Sequence, residues 1–224
     1  MNRCEGCELY NLDIIHRVCI PPPSDKIRGC LISRDPTSEF LVKLNEYRQV
    51  PTDQKRNLWF DAPPRWLFNK INKNILESDE NPPDRAKLQG LQDFLDYECY
   101  WTHLHKCPTK PQKKKDLNQD GMSSIEENYR PFRPDIAEYC ANSWFEFEFN
   151  KYDLKDKIII TLGNDVKKNF KQWSNDQGLE NNKKVINLPH PSGRCRSWNK
   201  NSENKESISK EITRLLDLLD TDVE

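Results

Sequence analysis

The sequence predicts a three-layer α/β/α fold around a central four-stranded parallel sheet, and three observations predict it. Four short segments are apolar or β-branched and stop at polar or turn residues. Helix-like stretches separate them. Strands that alternate with helices imply a parallel, doubly wound sheet with right-handed crossovers. Each strand-like segment also hands over at its carboxyl end to a polar cluster, and ligands of such sheets bind outside those ends.

The strand-like segments are Ile27 to Ser33 (IRGCLIS), about Tyr97 to Leu104 (YECYWTHL), Lys157 to Leu162 (KIIITL) and Lys184 to Leu188 (KVINL). Helical spacing is read over Ser38 to Arg48, Arg65 to Leu76, Ala86 to Asp96, Pro134 to Phe149 and Asn164 to Trp173. A last helix over Glu206 to Leu219 repeats Ile208, Ile212, Leu215, Leu216 and Leu219 on one face, which suits docking on the sheet. The polar clusters at the strand ends are Arg34-Asp35-Pro36-Thr37, His103-Leu104-His105-Lys106-Cys107, Gly163-Asn164-Asp165 and His190-Pro191-Ser192-Gly193. Between Pro108 and Arg133 the chain is proline-flanked, very polar and without sustained periodicity, so residues 108–133 read as a loop inserted into a single domain spanning 1–224.

At 224 residues the chain can bury a real core. Hydrophobic residues make up 35% and charged residues 32%, which concentrates the apolar side chains in a few strands and helices. No run approaches the roughly 20 apolar residues of a membrane helix, and the N-terminal MNRCEGCELYNL lacks the apolar stretch of a secretory signal. An intracellular, cytoplasmic and monomeric protein is the expectation. Net charge is −1, so any grip on nucleic acid must be local. One stretch suits it: no acid lies between Glu180 and Glu203, while Lys183, Lys184, Arg194, Arg196 and Lys200 are basic. Such a run is most often a solvated face; its place beside HPSG raises it.

Eight cysteines in a reducing compartment point to metal ligands or buried thiols rather than a disulfide framework. Cys4 and Cys7 form a CxxC pair that, with two distant cysteines, suits tetrahedral zinc or an iron–sulfur cluster. Cys30 and Cys99 fall in strands and read as buried thiols. A competing metal motif lies in the inserted loop, where Asp116, Asn118, Asp120, Gly121 and Glu127 satisfy calcium-loop spacing over 116–127. Its context opposes it. Lys113 to Lys115 precede it without an amphipathic helix, and Pro131 and Pro134 cut short any exiting one.

An ordered set of short motifs resembles the uracil-DNA glycosylase superfamily, closest to its iron–sulfur branch. CEGC at Cys4 to Cys7 is similar to that branch's opening cysteine pair, and LISRDPT at Leu31 to Thr37 to the strand and turn of its first catalytic motif. YWTHLHKC at Tyr100 to Cys107 resembles the strand with the third cluster cysteine, and DIAEYC at Asp135 to Cys140 the helix with the fourth. IIITLGNDVKKNF (Ile158 to Phe170) and LPHPSGRCRSWN (Leu188 to Asn199) resemble the third strand with its glycine turn and the last motif.

The resemblance implies a DNA glycosylase that hydrolyses the N-glycosidic bond of uracil or another deaminated base, with a non-catalytic damaged-DNA-binding protein as the alternative. It gives Asp35 the role of orienting a water and stabilising the sugar cation; read alone, Asp35 suits a helix N-cap equally well. It makes His190 the donor to the departing base, a task for neutral imidazole, with Ser192, Arg194, Arg196 and Lys200 against DNA. Phe60 in LWFDAPPRW matches the aromatic that stacks on an extruded base, though Trp59 and Trp66 beside it suit a core equally. A 4Fe-4S cluster on Cys4, Cys7, Cys107 and Cys140 is implied by the same resemblance, with zinc as the alternative. His103 and Thr37 depart from it. Relatives place asparagine at the first, where imidazole cannot copy a bidentate amide, and the strictest uracil enzymes place tyrosine at the second.

Overall fold

A computed structural model describes residues 26–35, 63–76, 85–106, 133–179, 182–192, 195–199 and 203–221. Along these the chain forms β1 (Gly29–Ser33), α1 (Pro63–Leu76), α2 (Arg85–Asp93), a π-helical turn (Phe94–Glu98), β2 (Cys99–His103), α3 (Pro134–Lys151), β3 (Ile158–Leu162), α4 (Asn164–Asp176), β4 (Val185–Leu188), a 3-10 turn (Arg196–Trp198) and α5 (Lys205–Thr221). The expected helix over Ser38 to Arg48 and the calcium-like loop at 116–127 lie outside the described residues, as does the inserted loop up to residue 132.

The four strands pair in parallel in the order β2-β1-β3-β4. Register sets Trp101, Leu31, Ile160 and Ile186 in one row across the sheet. With Cys99, Ile158, Leu162 and Leu188 they pack under α1, α2 and α5. The alternate positions Tyr100, Cys30, Ile32 and Ile159 pack under α3 and α4. Period-two alternation thus feeds two cores, and every residue of β1 and β3 is buried, as expected of strands covered on both faces. Burial also pushes the Cys30 and Cys99 thiols well above the ordinary thiol range, as buried-thiol readings require.

Helix α5 buries the five apolar residues that its spacing picks out. Burying such a side chain is worth about 1.5–3 kcal/mol. Across the strand it covers, Arg214 donates to the carbonyls of Lys183 and Val185, at 2.7 and 2.6 Å, and so closes the β4 edge.

The second strand starts two residues later than the sequence suggests, because Tyr97 and Glu98 complete the π-helical turn. Packing and pairing fix that turn. Phe94 lies so close over Gly29 that a Cβ there would sit 2.4 Å from its ring, leaving room only for glycine. Glu98 accepts from the Arg28 backbone N–H at 2.8 Å and from its guanidinium at 2.9 Å.

From β1 the chain passes through α1 and α2 on one face to reach β2, then recrosses β1 by way of α3 on the other face to enter β3. Winding therefore reverses at the adjacent strands β1 and β3. Ligands of open α/β sheets bind at this reversal, beyond the carboxyl ends.

Candidate active site

Beyond β1 the chain presents Arg34 and Asp35. The Asp35 side chain is only 7% exposed and accepts from Arg34 Nε. The Arg34 guanidinium also lies 3.8 Å from Asp165 in the first turn of α4, so one cation links the turns after β1 and β3.

The β3 turn is made by Gly163, whose φ of 92° favours glycine. Its N–H donates to the Leu188 carbonyl at 2.8 Å, which joins the turn to the end of β4. A Cβ on Gly163 would lie 3.8 Å from that of His190, so the histidine passes directly beside this turn.

His190 is half-buried and held from two sides. The Ser192 backbone N–H donates to Nδ1 at 3.3 Å, and Trp198 Nε1 donates to the His190 carbonyl at 3.1 Å. An Nδ1 that accepts assigns the proton of neutral imidazole to Nε2, making that atom a donor. Burial lowers the histidine's pKa, Arg34 lowers it further, and Asp35 opposes them. Arg34 and Asp35 both belong to the turn after β1, so that turn and His190 lie near each other at the strand ends.

The β2 side is closed. His103 is 1% exposed, with its ring 5.1 Å from that of Trp101. Trp101 Nε1 donates to Ser33 Oγ at 3.0 Å. Pairing continues past the strand ends, since the N–H groups of Leu104 and His105 donate to the carbonyls of Ser33 and Arg34, each at 2.8 Å. The next residue, Lys106, forms a salt bridge with Glu148 of α3, the two side chains being 0% and 1% exposed. Sequence reasoning does not anticipate this pair. Its signal lies in α3, where Glu148 continues the apolar stripe of Ala137, Ala141 and Phe145 at helical spacing. A carboxylate there needs a partner.

Of the remaining expected site residues, Ser192 is in the His190 turn and Arg196 is exposed at the start of the 3-10 turn. Cys140 is buried in the first half of α3. Thr37, Phe60, Arg194, Lys200, Cys4, Cys7 and Cys107 lie outside the described residues.

The chain's sequence matches the Uracil DNA glycosylase superfamily over residues 48–213. It belongs to that superfamily, whose members are generally DNA glycosylases acting on DNA. No curated protein matches the chain. The matched region contains His103 and His190, whereas Asp35 and Thr37 precede it. No helix among the described residues is long and apolar enough to cross a membrane.

Proposed function

We propose that this chain is a monofunctional DNA glycosylase that hydrolyses the N-glycosidic bond of uracil or another deaminated base in DNA, as one domain over residues 1–224. The observation that carries this reading is that Asp35 and His190 flank the same β3 turn, Arg34 beside Asp35 lying 3.8 Å from Asp165 and His190 passing beside Gly163. Asp35 is a nearly buried carboxylate; His190 is a histidine held as a neutral donor.

The duplex lies against the basic stretch of Arg194, Arg196 and Lys200, with Ser192 just before it in sequence, and the target nucleotide is turned out toward the strand ends. Phe60 stacks on the base, while His103 and Thr37 set which base is accepted. As the bond breaks, the electron pair leaves with the base. His190 Nε2–H donates to its developing oxyanion, and the Asp35 carboxylate stabilises the sugar cation. Asp35 then orients the water that adds to the sugar carbon, and the water's proton passes to the carboxylate.

Cys4, Cys7, Cys107 and Cys140 suit a 4Fe-4S cluster, with zinc as the alternative. Of these four, Cys140 lies among the described residues, buried in the first half of α3. When bound, such a cluster joins the N-terminal segment to the sheet edge and takes no part in the hydrolysis. A brown preparation with about four irons per chain supports the cluster; stoichiometric zinc replaces it.

The test of the activity is incubation with oligonucleotides carrying uracil, hypoxanthine, xanthine or thymine mismatches, followed by alkaline cleavage. Strand breaks at one or more of these bases are expected. Tight binding without an abasic product at any of them would overturn the enzyme and leave a damage-binding protein.

A further inference from the structure

We propose that the buried Lys106–Glu148 pair is a positioning device for the active site, fixing the shared end of β1 and β2 and with it Asp35 and His103. For its effect on turnover this rests on the glycosylase reading; the clamp itself rests on the described geometry alone.

The pair is fully satisfied. Lys106 Nζ donates to Glu148 Oε1 and Oε2 at 2.8 and 2.7 Å and to Thr102 Oγ1, so three acceptors meet the three protons of the ammonium. Glu148 also accepts from the Tyr100 hydroxyl at 3.0 Å and from Thr102 Oγ1 at 3.0 Å. Four side chains from β2, the turn after it and α3 thus form one network centred on the carboxylate. Stability is a poor explanation for it, because replacing a buried ion pair with well-packed apolar residues is often neutral or stabilising. Geometry is the better one.

Strand alternation shows where the clamp acts. Tyr100 faces the α3 layer and Trp101 the opposite one, so Thr102 goes with the first and His103 with the second. The Glu148 network therefore grips β2 from the face opposite His103. On the His103 face, Trp101 is tied to Ser33 of β1. The ladder then runs on through Leu104 and His105 to Ser33 and Arg34, and Lys106 is the next residue. Its anchor stands beside the last of these bonds among the described residues, and Asp35 directly follows Arg34 on the facing segment. Catalytic groups must be held closely, since a displacement of about 1 Å can cost on the order of 10²-fold in rate.

The experiment uses the full chain and two variants, Lys106→Met/Glu148→Leu and Thr102→Val. Melting temperature, amide hydrogen exchange, and kcat and KM for base release are measured on each. The double variant is expected to melt below the wild-type temperature, because the buried Tyr100 and Thr102 hydroxyls lose their acceptor. Its Leu104 and His105 amides should exchange about tenfold faster while Ile160 and Thr161 amides do not change. Its kcat should fall about tenfold or more, with KM within about twofold.

Thr102→Val keeps both charges and the side-chain shape, and should show the same local pattern at smaller size; it carries the test if the double variant does not fold. Unchanged exchange at Leu104 and His105 together with unchanged kcat would overturn the proposal. So would faster exchange spread evenly through the sheet, which marks a merely structural pair. If the wild-type chain releases no base at all, the glycosylase reading fails, and the exchange measurements alone still decide whether the clamp exists.

Discussion

The two sides of the strand-end site differ in construction. At the β4 side His190 is half-buried and held by two hydrogen bonds, with exposed Arg196 a short way along the chain. At the β2 side His103 is buried against Trp101, and behind it a satisfied ion pair replaces solvent. The open side suits groups that must meet a large substrate and change hydrogen bonds during reaction. The closed side suits groups that must stay still. Asp35 lies between them, bonded through Arg34 toward α4 and reached by the β1–β2 ladder from the other direction.

The largest expected effect comes from breaking the centre of this comparison. Asp35→Asn keeps the shape and removes the charge, and base release should fall by about 10²–10⁴-fold at little cost in melting temperature. On the open side, His190→Ala should lower single-turnover release by about 10²–10³-fold, the loss typical of one preorganised oxyanion donor.

A pH profile sharpens the same side. His190 has its pKa lowered from 6.5 by burial and by Arg34, so it is neutral at pH 7 and gains a proton only at more acid pH. The acid limb that it contributes to turnover should therefore lie below pH 6.5 and be absent in His190→Asn. The unfolded chain binds that proton first, so stability should also fall as pH drops below 6.5. An NMR titration of His190 checks both; an apparent pKa above 6.5 would contradict them.

Smaller effects belong to the supports. Trp198→Phe removes the hydrogen bond to the His190 carbonyl and should cost about 1 kcal/mol, read as a roughly fivefold fall in kcat. Arg196→Ala should weaken DNA binding equally for all sequences and reduce the slope of log K against log salt by about 1. A change confined to one base would instead place Arg196 in base recognition.

The sheet and its helices are legible in the sequence because their signals are local. IRGCLIS, KIIITL and KVINL are apolar runs with clear stops, and the α5 stripe of Ile208, Ile212, Leu215, Leu216 and Leu219 is the face that the fold buries. Asp35 and His190 stand out for the same reason, as polar residues placed just past predicted strands. The π-helical turn does not, because Tyr97 and Glu98 have strand-like neighbours and are set by tertiary partners, Phe94 on Gly29 and Glu98 with Arg28. Lys106 gives no signal either, because a lysine at a strand end is ordinarily solvated, and its partner is 42 residues away.

The central claim, that Asp35 and His190 act together on one departing base, is tested most directly by single-turnover base release from a uracil- or hypoxanthine-containing duplex. Wild type, Asp35→Asn, His190→Ala and the double variant are compared under one condition. The account predicts a large loss in each single variant, with the double variant at or below the slower of them. Release at the wild-type rate by both single variants would contradict it.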